Sequence, residues 1–389
     1  MNKYYEQANK LQAKMIEQRR ELHQMPELGL DLPKTSAYVE EKLKALGIEV
    51  KRYGTSGLSA TIKGGKGEGK TILLRADMDA LPMEEINDLD FKAEGTCAHT
   101  CGHDLHTAML LAAAEIINDN KDDFKGNVKL MFQPAEEIFK GSRMMIEEGL
   151  LEDPKVDVAF AMHTGLDHLP GSISYNTGYM TTSCDNFKIE IKGKGAHGAY
   201  PHTGIDPINA GVLIYQQFAQ LISRDNTPQA TTTLTFGQFS AGSNSNIIPD
   251  TAVMQGTMRT YDPEVRDRLK KRMIEIIEGA EKVTGTKIDL DFFSGVPSTY
   301  SNPELTGEFV DIIKNANPDI EMIDGLLIMA SEDFAVIAEK VPSVYIMCNC
   351  KVEGNNFSHH NPGVLFNEDA MPIGAGTFAS FAIEWLNKN

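Results

Sequence analysis

The spacing of apolar residues predicts that helices and buried strands alternate along both ends of the chain. The pattern predicts helices at residues 3–24, 34–46, 104–118, 303–315 and 368–386. Short apolar runs predict strands at residues 48–53, 58–63, 71–75, 128–132, 156–162 and 343–347. The last four runs are typical of central strands that are buried on both faces. We therefore expect an α/β domain with a mixed, mostly parallel sheet flanked by helices.

The pattern changes after Gly178. Polar and apolar residues now predict strands at 187–192, 231–239, 252–260 and 287–293, with helices at 206–223 and 263–283. The order βαββαβ is the ferredoxin-like arrangement, which folds as a compact unit of about 110 residues. The chain has 389 residues, more than the roughly 250 to 300 that one core usually serves. We expect an inserted α+β domain at 181–293, between residues 1–180 and 294–389 of a discontinuous first domain.

Charge and composition narrow the class of partner. Lys and Arg number 37 against 55 Asp and Glu, which gives a net charge of −18. Nucleic acids and anionic membranes would be repelled by such a surface, so neither is expected as a partner. The N-terminal residues lack the apolar stretch of a signal peptide, and a cytoplasmic location is expected. The five cysteines are an odd number, and no disulfide framework is predicted.

Residues 96–107, which read TCAHTCGHDLHT, hold the densest group of possible metal ligands. Cys97, His99, Cys101 and His103 alternate here, and thiolate and imidazole together suit zinc and similar divalent ions. A loop that packs without metal is the alternative, because short Cys/His spacings also occur by chance.

Further polar residues follow the predicted core strands. Asp77 comes after strand 71–75, Glu136 and Glu137 after strand 128–132, and His163 after strand 156–162. Parallel strands would bring these residues to one edge of the sheet. Adjacent side chains point in different directions, so one glutamate can bind a metal while the other faces a bound water. The alternatives are a solvated acidic loop for the glutamates, a structural histidine, and a turn cap for Asp77 or Asp79.

Five sequence blocks together resemble a known family. They are RADMDALP at 75–82, CGHD at 101–104, FQPAEE at 132–137, GKGAH at 193–197 and NIIP at 246–249. They look like the signatures of the metal-dependent amidohydrolases that include hippurate hydrolases, auxin-conjugate hydrolases and aminoacylase-type enzymes. The resemblance runs from about His23 to the C-terminus.

The resemblance implies two divalent metal ions (Zn, Mn, Co or Ni) and a set of ligands. The implied ligands are Cys101, His103, Glu137, His163 and His360. His360 is preferred to His359 because Pro362 and Glu368 follow it at the family's spacing. Cys101 would bridge the ions, with Glu137 and His360 on one ion and His103 and His163 on the other.

Other positions are given catalytic or supporting roles by the same resemblance. Glu136 matches the general acid/base, and Asp77 looks like a carboxylate that orients a metal-binding histidine. Arg75 occupies a place where relatives carry another ligand. One departure lies beside Cys101, where residues 98–100 read Ala-His-Thr instead of the family's Met-His-Ala.

In the second domain, His197, Asn246 and Arg259 match residues that hold the substrate. The resemblance implies that His197 polarises the scissile carbonyl, often from the partner subunit of a dimer. Arg259 would bind the substrate's carboxylate, for which a guanidinium is well shaped. The alternative is an ordinary surface residue, because Arg259 lies on an alternating strand. The domain is therefore expected to act as a lid and in dimerisation.

The resemblance implies an enzyme that cleaves the amide bond of N-acyl amino acids, giving a carboxylic acid and a free amino acid. A dipeptidase or carboxypeptidase of the same clan is the nearest alternative, because it differs only in the acyl group that the pocket accepts. A cysteine hydrolase using Cys101, or a metal-binding protein without activity, would leave Glu136 without a purpose. The acyl group, the preferred amino acid and its stereochemistry stay open.

Overall fold

A computed structural model describes residues 1–389, which form two compact units. The first unit contains Met1–Met180, Tyr300–Leu327 and Asp333–Asn389. The second unit contains Thr181–Thr299 and Ile328–Glu332. The second unit thus extends past residue 293, the boundary expected from the sequence, and also takes in a five-residue segment from later in the chain.

Sixteen strands and ten α-helices make up the two units. The strands are β1 Val50–Tyr53, β2 Gly57–Lys63, β3 Thr71–Asp77, β4 Asn127–Gln133, β5 Val158–Gly165, β6 Ser172–Tyr175, β7 Gly178–Tyr179, β8 Ser183–Lys192, β9 Ala196–His197, β10 Thr232–Ala241, β11 Ile247–Ile248, β12 Thr251–Thr260, β13 Lys287–Val296, β14 Tyr300–Ser301, β15 Glu321–Asp324 and β16 Ser343–Asn349. The helices are α1 Lys3–Lys10, α2 Gln12–His23, α3 Pro33–Ala45, α4 His103–Asp119, α5 Gly141–Glu147, α6 Pro207–Gln220, α7 Pro263–Thr284, α8 Pro303–Ala316, α9 Ala335–Ala338 and α10 Met371–Lys388.

An eight-stranded mixed sheet forms the centre of the first unit, in the order β1-β2-β4-β3-β5-β16-β6-β15. The four central strands β4, β3, β5 and β16 run parallel, so their carboxyl ends meet at one edge of the sheet. Strand β3 is buried at every position, as expected for a strand covered on both faces. The predicted α/β fold with a mixed, mostly parallel sheet is confirmed.

Helices α4 and α10 pack against each other in the core of the first unit. Both are apolar on most faces, which is typical of helices without a solvent-facing side. Glycine permits their close approach, since a Cβ at Gly374 would lie 2.1 Å from the sulfur of Met109. The two helices therefore pack closely at this point. No helix combines the length and the apolar character that crossing a membrane requires.

The second unit has an antiparallel sheet in the order β10-β12-β8-β13, with helices α6 and α7 packed against it. The chain order β8-α6-β10-β12-α7-β13 is the ferredoxin-like order predicted from the sequence. Phe187 and Ile189 on β8 alternate with partly exposed residues and pack with Phe218 of α6. The sheet therefore has a core of its own.

Several short elements were not predicted. Helix α5 and strands β6 and β15 have seven residues or fewer, too few for a clear period of apolar residues. The predicted helix 3–24 is divided at Leu11 into the two helices α1 and α2. None of these differences changes the order of the central strands.

Candidate metal centre

The loop before α4 passes close to the end of β5, and a glycine makes this possible. Gly102 has a φ of +85° and precedes the first residue of α4. A Cβ at Gly102 would lie 2.7 Å from Oγ1 of Thr164 on β5. Only glycine can adopt this positive φ and approach Thr164 this closely without strain. Gly102 therefore allows the loop to place Cys101 and His103 beside His163.

Two groups of three possible metal ligands share one sulfur atom. The ligand atoms of Cys101, His103 and His163 all lie within 4.8 Å of one another. Those of Cys101, Glu137 and His360 meet the same limit. The Cys101 Sγ atom lies 3.4 Å from His163 Nε2, and Glu137 Oε1 lies 3.3 Å from His360 Nε2. The structure thus brings together the five residues that the resemblance implies as ligands.

The orientation of the imidazole rings fits a metal ion. Nδ1 of His103 hydrogen-bonds the carbonyl of Asp79 at 2.8 Å, and Nδ1 of His163 hydrogen-bonds the carbonyl of Thr164 at 2.9 Å. The fully buried Nε2 of His103 has no hydrogen-bond partner, a costly arrangement for a polar atom. Histidine ligands of metal ions usually anchor one ring nitrogen on a carbonyl in this way and bind the ion with the other. Thiol, imidazole and carboxylate together suit a divalent ion.

The electrostatics of the group also favour a cation. Burial, together with three nearby carboxylates, raises the pKa of the Cys101 thiol well above its ordinary value. Burial alone would lower the pKa of His103, but the surrounding carboxylates raise it to about 10. The centre therefore carries an excess of acidic groups in a buried position, and divalent ions would compensate their charge.

Glu136 and Glu137 follow β4 in a tight turn that Asp79 holds. Oδ1 of Asp79 accepts a hydrogen bond from the backbone amide of Glu136, and Oδ2 accepts one from Glu137, each at 3.1 Å. Ala135 and Phe139 on either side have φ values of +58° and +57°, which are strained for residues other than glycine. Asp79 is thus a clamp on both glutamates, a role that the sequence did not reveal beyond a possible turn cap.

Asp77 hydrogen-bonds His106, which is not one of the ligands that the resemblance implies. Its Oδ1 lies 2.5 Å from Nδ1 of His106, whereas its Oδ2 lies 3.7 Å from Nε2 of His103. Burial raises the pKa of Asp77, but Arg75 and the two histidines hold it well below its ordinary value. Arg75 is buried and forms ion pairs with Asp77 at 2.6 Å and Asp333 at 3.2 Å. Arg75 therefore compensates buried negative charge.

His360, and not His359, faces Glu137. The backbone of His360 has a φ of +61°, and its amide donates to the carbonyl of Thr100 at 3.0 Å. His359 turns away, with Nε2 at 3.2 Å from Thr164 Oγ1 and its ring 5.8 Å from that of Phe366. His360 is therefore the histidine of this pair that lies beside Glu137.

In the second unit, His197 and Asn246 lie side by side. His197 on β9 pairs with Ile247 on β11, and the amide of Gly198 donates to the carbonyl of Asn246 at 2.8 Å. The His197 side chain is exposed. Arg259 on β12 donates from Nη1 to Ser331 Oγ at 2.9 Å. One side of the guanidinium is therefore fixed by the segment 328–332.

Comparison with known proteins identifies the family. Residues 73–384 match the sequence profile of peptidase family M20/M25/M40. An N-acetyl-L-cysteine deacetylase of Bacillus subtilis is 37% identical over 363 residues, which cover 93% of this chain and 85% of that protein. The chain belongs to this family. It is therefore a metal-dependent amidohydrolase.

Two further comparisons extend over nearly the whole chain. The thermostable carboxypeptidase 2 of Saccharolobus solfataricus is 36% identical to this amidohydrolase over 383 residues, 96% of each chain. The crystal structure of a dinuclear metal-binding M20 peptidase from Bacillus subtilis superposes with a TM-score of 0.83 at 30% identity. It covers 97% of this chain and 99% of that one. The fold of this amidohydrolase is thus that of the family throughout its length.

Proposed function

We propose that the protein hydrolyses the amide bond of N-acyl amino acids, releasing a carboxylic acid and a free amino acid. The observation that supports this most is the pair of ligand groups that share Cys101, with Glu136 beside them. One group, Cys101 with Glu137 and His360, would hold one divalent ion. His103 and His163, again with Cys101, would hold the other. The dinuclear M20 peptidase of similar structure supports this count, and Zn, Mn, Co and Ni all suit the donors.

Glu136 is proposed as the general acid/base. Two divalent ions held by these residues would supply Lewis acidity, which lowers the pKa of a bound water from 15.7 towards about 7. The Glu136 carboxylate accepts the proton of the attacking water and then donates it to the nitrogen of the leaving amine. Glu136 is only 5% exposed, and its amide is fixed by Asp79 at 3.1 Å. Both features favour a carboxylate held in one position.

The second unit is proposed to recognise the substrate as a lid and to form a homodimer. His197 would donate a hydrogen bond to the scissile carbonyl oxygen, from the partner subunit in a dimer. Asn246 would bind beside it, and Arg259 would bind the α-carboxylate. The exposed side chain of His197 and the anchoring of Arg259 by Ser331 support these roles.

The carboxypeptidase relative favours one second candidate, the removal of a C-terminal amino acid from a short peptide. Both reactions cleave an amide next to an amino acid with a free carboxylate, so the same residues would serve either. A cysteine nucleophile is disfavoured, because burial raises the pKa of the Cys101 thiol and an activated thiolate requires the opposite shift.

The cysteines and the net charge bear on the location of the enzyme and on its partners. All five cysteines are free in the structure, as is usual in a reducing cytoplasm, which supports a cytoplasmic location. A net charge of −18 disfavours nucleic acid and anionic membranes as partners. The small-molecule substrate is proposed from the amide-hydrolysing relatives.

Release of free amino acid from a panel of substrates tests the proposal. The panel contains N-acetylmethionine, hippurate and dipeptides, each measured after chelation and again after reloading with Mn²⁺ or Zn²⁺. We expect chelation to abolish hydrolysis of the N-acyl amino acids and reloading to restore it. Metal-restored cleavage of dipeptides alone would support the second candidate. Activity that chelation does not change would refute the proposed metal centre.

A further inference from the structure

His106 lies fully buried at the first turn of α4, between the end of β3 and the end of β5. It belongs to a group of possible ligands with Asp77 and His103, yet both of its ring nitrogens are already hydrogen-bonded. Nδ1 lies 2.5 Å from Asp77 Oδ1, and Nε2 lies 2.9 Å from the backbone nitrogen of Thr164. No lone pair is left for a metal ion, so this group is not a third metal site.

The backbone amide of Thr164, on β5, determines the tautomer of His106. A backbone amide only donates, so Nε2 of His106 must accept the hydrogen bond from Thr164 and carry no proton. The ring proton then lies on Nδ1 and is donated to the carboxylate of Asp77. The ring is therefore fixed at both ends, by a charged acceptor on β3 and by a backbone donor on β5.

Thr164 connects this ring to a ligand of the metal centre. Its amide is bound by His106, and its carbonyl accepts a hydrogen bond from Nδ1 of His163 at 2.9 Å. Its hydroxyl donates to the carbonyl of Cys101 at 3.1 Å. The rings of His106 and His163 also pack edge to face, with centroids 4.6 Å apart. Thr164 therefore links the position of the His106 ring to the position of the His163 ring.

We propose that His106 is a positioning residue that acts through Thr164 to aim Nε2 of His163 at the ion shared with Cys101 and His103. The inference rests on the proposed metal centre and assigns within it a residue that binds no ion. Histidine ligands depend on such outer partners, whose loss lowers metal affinity by 10- to 100-fold in typical cases. Thr164 also contacts Cys101, which the two ligand groups share, but neither Glu137 nor His360 hydrogen-bonds His106 or Thr164. The effect is therefore expected at the group that contains His163.

Two substitutions separate the two hydrogen bonds of the His106 ring, one to Asp77 and one to Thr164. In His106→Asn, the short amide keeps a donor near Asp77 and loses the acceptor for Thr164. In His106→Gln, the longer amide places an oxygen where Nε2 was and loses the bond to Asp77. Thr107→Val is the matched control, because Thr107 is equally buried on the same turn and donates to the carbonyl of Asp77 at 2.9 Å. The hydrogen bond of the Thr107 hydroxyl goes to Asp77 and not to Thr164.

Co²⁺ binding to the full chain tests the proposal, measured by equilibrium dialysis and visible absorption. Each variant is made in a His360→Ala chain, which keeps the Cys101–His103–His163 group, and in a His163→Ala chain, which keeps the other group. We expect His106→Asn to weaken Co²⁺ binding by about 10- to 100-fold in the His360→Ala chain only. His106→Gln should retain more affinity there, and Thr107→Val should match its parent.

Equal losses in both parent chains, or no loss in either, would overturn the proposal. Loss in His106→Gln as large as in His106→Asn would overturn it too, because the bond to Thr164 would then be irrelevant. A wild-type chain that binds no Co²⁺ would instead refute the proposed metal centre.

A measurement on the unmutated chain covers the case in which the variants do not fold. Nitrogen-15 NMR of the histidine-labelled protein reports which nitrogen of each ring carries the proton. We expect one ring with its proton on Nδ1 and an unprotonated Nε2 coupled to a backbone amide. A His106 ring protonated on Nε2 would overturn the proposal.

Discussion

The carboxylate of Asp79 accepts a hydrogen bond from the backbone amide of Glu136, 57 residues further along the chain, at 3.1 Å. Its second oxygen accepts the amide of Glu137 at the same distance. A single buried side chain at the end of β3 thus fixes both the proposed general base and a proposed metal ligand. The left-handed backbone of Ala135 costs roughly 1 to 3 kcal/mol, and these bonds help to offset that cost.

Asp79→Asn is expected to lower kcat by about 100-fold, because one amide then meets an NH₂ group and the turn moves the Glu136 carboxylate. The measurement is steady-state hydrolysis of the best substrate of the panel, with metal content determined in parallel. Asp157→Asn is the control, since Asp157 also accepts a backbone amide, that of Thr71 at 2.7 Å, at the opposite end of β3. An unchanged kcat in Asp79→Asn would contradict the clamp.

Glu136→Gln and Glu137→Gln separate catalysis from metal binding. Glu136→Gln should retain both ions and lose about 10²- to 10⁴-fold in kcat, because only the proton acceptor is removed. Glu137→Gln should lose activity together with metal, because Glu137 belongs to a ligand group with Cys101 and His360. Measuring the metal content together with kcat distinguishes the effects of the two substitutions. Turnover that survives Glu136→Gln would exclude it as the general base.

The sequence predicted the elements that bring the site together, because those elements have clear apolar patterns. Strands β3, β4 and β5 each contain a short apolar run and are buried at all or all but one of their positions, and the polar residues after the runs are conspicuous. Parallel pairing then brings Glu137 and His163 to one edge. Sequence reasoning could therefore group these side chains without any coordinates.

The supporting residues could not be found in this way. The clamp of Asp79 and the link from His106 through Thr164 to His163 depend on backbone groups, which look the same at every position of a sequence. Their partners are 57 and 58 residues apart, and only the folded chain shows which atoms meet. Asp77 illustrates the point, because its hydrogen bond goes to His106 and not to a proposed ligand.

Lys129 on β4 is a buried lysine whose role is structural. Its ammonium donates to the carbonyls of Leu150, Glu152 and Pro154 at 2.7 to 2.8 Å. Lys129→Met should lower the free energy of unfolding by about 3 kcal/mol, because three carbonyls lose their donor, and leave kcat unchanged. Urea unfolding checks this, with Lys51→Met, an exposed lysine, as the control. A loss no larger than that of the control would contradict the structural role.

His23 on α2 makes stability depend on pH. Burial lowers its pKa, but hydrogen bonds to Asp104 at 2.8 Å and Glu85 at 3.0 Å raise it above the ordinary value of 6.5. A base whose pKa is higher in the folded state contributes stability that is complete below the unfolded pKa. That stability is lost as the pH rises through the folded value.

The wild-type melting temperature should therefore fall between about pH 6.5 and the raised pKa of His23 by more than that of His23→Gln, whose neutral amide does not titrate. Thermal unfolding at closely spaced pH values measures the difference between the two curves. His202→Gln, which changes an exposed histidine of the second unit, should follow the wild-type curve. Parallel curves for wild type and His23→Gln would show that His23 is not charged between its two carboxylates.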